Sequence, residues 1–108
     1  MTYIKIGENL YPTVEINGRM GDGEWGGRQS KAITLEMDVN TAKTIFVNDV
    51  DWSIVVQYSE DDIVEYDNAE FSVAGDIIDH RNGLITVKMG TPTQGELLNM
   101  LMLWVLLL

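Results

Sequence analysis

The chain has 108 residues, near the common size of a single domain, and 45% of them are hydrophobic, so a buried core is expected. It contains no cysteine and one histidine, His80, which excludes disulfides, zinc–thiolate sites and multi-histidine metal centres. Seven basic and 17 acidic residues give a net charge of −10, and because such a chain is repelled by phosphate backbones and anionic membrane surfaces, direct nucleic-acid binding is not expected.

The first 28 residues predict a β-hairpin followed by a loop. Apolar and polar residues alternate over residues 3–6 and 13–17, which is the two-residue period of a half-buried strand. Five glycines crowd residues 18–27 around Trp25, and this density disfavours any regular element. We therefore expect a loop, in which Trp25 either lies at a mobile tip with Arg28 nearby or folds back to cover one end of the sheet. The N-terminus shows no secretory signal pattern.

The middle of the chain predicts a strand, a short helix and a second strand. Residues 29–37 alternate between apolar and polar side chains, as a half-buried strand does. Asp38 is suited to cap a helix of about two turns, because Ala42 and Phe46 follow at helical spacing. Residues 52–58 alternate again and carry an aromatic-rich apolar face.

Two further strands are predicted over residues 71–77 and 84–89. They are separated by a polar segment that contains Asn82 and Gly83. An Asn-Gly pair favours a type I′ turn, because that turn needs positive φ at both central residues. The two strands are therefore expected to form a hairpin.

A helix is predicted after residue 90. Thr91 with Gln94, and Thr93 with Glu96, are two overlapping helix-start signatures. In residues 97–108 only Asn99 is polar, so the helix is apolar on all sides. Twelve residues at about 1.5 Å each span about 18 Å, which is short of the roughly 30 Å hydrocarbon core, so no membrane span is expected.

Together these elements predict an α+β fold that is mainly antiparallel β. We expect a small barrel or sandwich of about six strands, with one short helix and the C-terminal helix packed against the strands. The domain is then a single unit over residues 1–108, with a β-rich body over 1–90 and the C-terminal helix over 91–108.

No residue pattern points to catalysis. The one group that combines carboxylates with an imidazole consists of Asp76, Asp79 and His80. Residues four apart on an extended strand lie roughly 13 Å from each other. Asp76 and His80 can therefore share a metal ion only if the chain turns sharply between them. The serines lack the Gly-x-Ser-x-Gly frame of a nucleophile elbow. We expect no catalytic, cofactor or metal site, and the protein is not expected to be an enzyme.

The apolar C-terminal helix is the strongest indication of function. Burying a Leu or Met side chain is worth roughly 1.5–3 kcal/mol, and one helix face reaches only one sheet, so the other faces need cover. Three interpretations stay open: the helix is wrapped by its own domain, it assembles with a second copy or another protein, or so uniform an ending is not native to the protein. Assembly predicts partner contacts from Leu101, Trp104 and Leu108.

Acidic residues are concentrated between Asp49 and Asp79, where ten acids occur and no base. A solubilising surface is the plain interpretation, and docking on a basic partner or imitation of DNA is the functional one. The functional interpretation predicts contacts from Glu60, Asp61 and Asp62. Trp25 and Arg28 are further candidates for a partner contact, unless Trp25 folds back to cover the sheet.

A resemblance to known proteins is carried by residues 25–37, 46–47, 52–55, 65–68, 74–77, 79–83 and 87–90. Over roughly residues 2–92, the chain resembles a family of small uncharacterised proteins encoded by phages and prophages of Gram-positive bacteria. The resemblance implies a protein encoded by a late gene near the tail module, with a role as a virion or assembly accessory. It implies a location in the bacterial host cytoplasm or in the virion. The family offers no catalytic residue to assign to this chain. Residues 97–108 depart from the more polar, acidic endings that the likeness implies. The alternative is a phage-encoded inhibitor of bacterial defence, either an acidic DNA mimic or a nucleotide-binding sponge.

Overall fold

The computed structural model describes residues 1–107, without the side chains of Trp104, Leu106 and Leu107. Within that part of the chain, seven antiparallel strands and two α-helices make the α+β fold that the sequence predicts. The strands are β1 (Thr2–Ile6), β2 (Asn9–Asp22), β3 (Arg28–Glu36), β4 (Trp52–Gln57), β5 (Ile63–Asp67), β6 (Val73–Asp79) and β7 (Leu84–Gly90), and the helices are α1 (Val39–Ile45) and α2 (Gln94–Leu107).

All seven strands belong to one sheet in the order β5-β4-β1-β2-β3-β7-β6. The long central strand β2 joins its two halves, because residues 9–12 pair with β1 and residues 13–22 pair with β3. Bulges between Thr13 and Glu15 and between Arg19 and Asp22 interrupt the second pairing, and such bulges bend a strand. The edge strands β5 and β6 do not pair with each other, so the expected barrel is not closed.

Both halves of the sheet contribute to one core, so the sheet curves around it. Trp52 of β4 is buried at the centre, where its indole N–H donates to the Phe71 carbonyl at 3.0 Å and its ring meets the Phe71 ring edge-on. Ala42 of helix α1 and Phe46, the residue that directly follows the helix, cover this core. The buried cluster consists of Ile4, Ile33, Leu35, Ala42, Phe46, Trp52, Phe71, Ile85, Val87 and Met89.

The expectation of about six strands is one strand short, because it omits β5. That strand lies at the edge of the sheet, and of its five side chains only Val64 is half-buried. A strand with so little buried surface needs no apolar alternation, which is the signal that sequence reasoning uses. The strand exists because its backbone pairs with β4 from Ser53↔Asp67 to Gln57↔Ile63.

The glycine-rich segment is also more regular than predicted. Residues 18–22 continue β2 and pair with β3, from Gly18↔Lys31 to Asp22↔Arg28, and a single 3-10 turn over Gly23–Trp25 follows. Backbone hydrogen bonds to β3 keep this segment ordered, although glycine has no side chain that could pack. The predicted loop is therefore reduced to the few residues around Trp25.

The predicted helix cap of α1 is confirmed, whereas the predicted type I′ turn between β6 and β7 is not formed. Asp38 caps α1 as expected, and its carboxylate accepts from the Thr41 amide at 2.8 Å. Strands β6 and β7 do pair, but the loop between them has four residues, with positive φ at Arg81 and Gly83 rather than at Asn82. Asn82 instead accepts a hydrogen bond from the Leu84 amide, which is an Asx-type turn.

Candidate interaction site at the C-terminal helix

Helix α2 begins with a capping box. The Thr93 hydroxyl accepts from the Glu96 amide at 3.3 Å, and the Glu96 carboxylate accepts from the Thr93 amide at 2.8 Å. This reciprocal pair satisfies two amides that the first helical turn leaves without partners. Of the two overlapping signatures in the sequence, the one formed by Thr93 and Glu96 is therefore used.

Arg28 fixes the start of α2 to the sheet. Its guanidinium makes a two-pronged ion pair with Glu96, in which Nη1 lies 3.0 Å from Oε1 and Nη2 donates to Oε2 at 3.2 Å. The same side chain donates to the carbonyls of Trp25 at 3.0 Å and Thr91 at 3.3 Å, and only 8% of it is exposed. A bidentate pair has a defined geometry, so Arg28 sets where the helix starts.

The Thr93 amide and the Arg28 guanidinium lower the pKa of Glu96, in that order of importance. Both groups interact more strongly with the carboxylate than with the neutral acid. Glu96 is therefore ionised at neutral pH, and the contact between α2 and the sheet depends on its charge.

Trp25 lies over the sheet rather than at the tip of a mobile loop. Its ring packs on the backbones of Gly75 in β6 and Gly90 in β7, where an added Cβ would come within 2.6 Å and 2.8 Å of ring carbons. The Arg28 guanidinium stacks 4.6 Å from the centre of the ring. The half-buried ring folds back on the sheet, which is the second of the two alternatives for Trp25, and with Arg28 it supports α2. A contact of either residue with a partner stays a prediction.

Beneath this loop lies a buried carboxylate that sequence reasoning missed. Asp22 is fully buried, caps the 3-10 turn through the Glu24 amide, and accepts from Lys88 at 3.0 Å and from Ser30 at 2.9 Å. The hydrogen bond from Lys88 is the largest cause of its lowered pKa. Lys88 is 66 positions from Asp22 in sequence, so only an Asp that precedes a turn could have been noticed beforehand.

Beyond its first turn, α2 projects from the body. Met100 and Glu96 line a groove toward Asn48, Asp49 and the start of β6, but seven apolar side chains of α2 are between 46% and 70% exposed. The expectation that the helix packs against the strands is therefore wrong for most of its length. The exposed side chains are Leu97, Leu98, Met100, Leu101, Met102, Leu103 and Val105.

Of the three helix residues predicted to contact a partner, Leu101 is 62% exposed. The side chain of Trp104 and the whole of Leu108 lie outside the described residues.

The predicted acidic residues are exposed. Glu60, Asp61 and Asp62 form the connection between β4 and β5, where the Asp62 carbonyl accepts from the Tyr58 amide at 2.9 Å. All ten acids from residue 49 to residue 79 are exposed. Those on the edge strands are divided between both edges of the sheet, because Glu65 and Asp67 lie on β5 and Asp76 and Asp79 lie on β6.

The carboxylate–imidazole candidates have local partners. Asp79 accepts from the Arg81 amide at 2.9 Å, and His80 Nε2 lies 2.7 Å from the Thr86 hydroxyl. Among residues 1–107, no group of three or more His, Asp or Glu side chains could hold a metal ion.

No family model, curated protein or solved structure matches the chain. In the part of the chain that the structure describes, no helix combines the length and apolar character needed to cross a membrane.

Proposed function

We propose that this protein is a non-enzymatic accessory that acts by protein–protein association, and that it self-associates through α2. The observation that carries the proposal is the set of seven apolar side chains on α2 that are about half to two-thirds exposed. Contiguous exposed apolar surface on a soluble chain marks an interaction site, and the helix offers no charged group after Glu96.

The energy available at this surface is large enough to support association. Full burial of a Leu or Met side chain is worth roughly 1.5–3 kcal/mol, so a side chain that is already one-third covered has about 1–2 kcal/mol left to gain. Four such side chains from each of two copies give about 8–16 kcal/mol, against an association cost of about 4–15 kcal/mol. The gain is therefore of the size that association requires.

The setting that we propose is a bacteriophage or prophage. The likeness of residues 2–92 to small phage and prophage proteins supports a virion or tail-assembly role, in the host cytoplasm or the virion. This part of the proposal depends on sequence likeness alone. The association through α2 does not depend on it.

Size-exclusion chromatography with light scattering tests the association. The unmodified chain is expected to elute as a multimer, and a Leu101→Glu, Met102→Glu double variant as a monomer, because both carboxylates would be buried at the interface. Met20→Glu is the matched control, since Met20 is 82% exposed on β2 and lies outside the helix. A monomeric unmodified chain, or a double variant with the mass of the unmodified chain, would contradict the proposal.

A second candidate is inhibition of a bacterial defence protein through the acidic surface. The exposure of all ten acids between residues 49 and 79 favours docking on a basic nucleic-acid site. The nucleotide-sponge form is less favoured, because two acids, Glu24 and Asp76, line the pocket beside Trp25, and Lys88, the base that also lines it, is already paired with Asp22. A Glu60→Gln, Asp61→Asn, Asp62→Asn variant is expected to lose salt-sensitive binding to a basic protein, and unchanged binding would reject this candidate.

A further inference from the structure

One side of α2 carries a continuous apolar stripe, which consists of Leu98, Leu101, Met102 and Val105. These four side chains are 60–70% exposed and line one shallow apolar depression of about 260 Å³. Glu96 and Met100 instead line the groove toward the body. With 3.6 residues per turn, the stripe faces roughly the opposite way, so the body leaves it uncovered.

The spacing of the stripe makes it complementary to itself. Its positions are separated by three, one and three residues, so they are symmetric about the midpoint between Leu101 and Met102. When two helices pair antiparallel about a two-fold axis at that midpoint, Leu98 meets Val105 and Leu101 meets Met102. Each side chain of the stripe then packs against a side chain of the other stripe.

Charge favours the antiparallel direction. The chain carries a net charge of −10, and every charged residue precedes position 97. In a parallel pair the two acidic bodies would lie side by side. In the antiparallel pair the two helix starts are about 22 Å apart along the axis, which exceeds the Debye length of about 8–10 Å. Antiparallel helix dipoles also attract each other.

We infer that the occupant of this stripe is the same stripe of a second copy, paired antiparallel. The inference rests on the proposed self-association and adds its face, its direction and its residue pairs. The stripe carries no charge that a charged partner would recognise, so a matching apolar helix is the partner that fits it.

Cysteine cross-linking of the full chain tests the pairing, because the chain has no native cysteine. Leu101→Cys lies beside the two-fold axis and is expected to form a disulfide-linked dimer under mild oxidation. An equal mixture of Leu98→Cys and Val105→Cys chains is also expected to cross-link. Leu98→Cys alone is not, because seven residues separate the two sites by about 10 Å along the axis, beyond the usual Cα limit of about 7 Å. Met20→Cys is the control for random collision.

The outcomes separate the inference from the proposed function. Cross-linking of Leu98→Cys alone, together with Leu101→Cys, would indicate a parallel pair and overturn the inference while leaving self-association intact. A monomeric mass with no cross-link above the Met20→Cys control would overturn both. A monomer that co-sediments with phosphatidylcholine vesicles would assign the stripe to lipid and would likewise overturn both.

Discussion

Replacing Gly75 with alanine is expected to displace the Trp25 ring. The new Cβ would lie 2.6 Å, 2.9 Å and 3.1 Å from three carbons of that ring, closer than carbon atoms can approach without movement. The backbone of Gly75 does not have positive φ, so any effect comes from the side-chain clash and not from backbone strain. Overpacking of this kind costs about 1–3 kcal/mol.

A loss of this size is measurable by thermal unfolding. In a domain of about this length each 1 kcal/mol lowers the Tm by roughly 4–8 °C, so Gly75→Ala is expected to lower it by at least 4 °C or so. Circular dichroism would report unfolding, and tryptophan fluorescence would report the movement of Trp25. Gly18→Ala is the control, because its added Cβ meets nothing closer than the Ser30 carbonyl at 4.0 Å.

A double-mutant cycle identifies the clash partner. In a Trp25→Ala background the ring is absent, so Gly75→Ala is expected to be neutral or slightly stabilising, as alanine usually is at a compatible glycine position. The coupling energy between the two positions is then about 1–3 kcal/mol. The same cost of Gly75→Ala in both backgrounds would refute the placement of Trp25 on β6.

Two further predictions concern acid stability and the core. The folded chain lowers the pKa of Glu96, so the ionised carboxylate stabilises the fold above the ordinary pKa of glutamate. This stabilisation is lost as the pH falls through the lower pKa of the folded state. Glu96→Gln is therefore expected to reduce the difference in Tm between neutral pH and about pH 3. An unchanged difference would contradict the role of its charge. Trp52→Phe removes the donor to the buried Phe71 carbonyl and leaves a void. Chemical denaturation is expected to show that the free energy of unfolding falls by about 2–4 kcal/mol. A decrease below about 0.5 kcal/mol would contradict the hydrogen bond.

Sequence reasoning found the elements that bury one clear face. Strand β3 buries Ile33 and Leu35 as its alternation predicts, α1 starts at its predicted cap, and α2 starts at a predicted capping box. In each case the signal is local, because the periodicity or the cap lies within a few residues. Strand β5 and the end of β2 gave no such signal, since their order comes from pairing with another strand.

The support of α2 could not be predicted, because its contacts are distant in sequence. Arg28 and Glu96 are 68 positions apart, and Asp22 and Lys88 are 66 apart. Sequence reasoning offered Trp25 as a partner contact or as a cover for the sheet, and the structure places it and Arg28 against their own sheet, while a partner contact stays a prediction. The apolar composition of the helix was evident from the sequence, but its exposure was not, because the Arg28–Glu96 pair that holds its first turn joins residues 68 positions apart.

The mass of the 108-residue chain in solution tests self-association most directly. One copy weighs 12.1 kDa, so sedimentation equilibrium over a range of concentrations is expected to give at least twice that mass and to show dissociation on dilution. A mass of 12.1 kDa at every concentration would contradict the account.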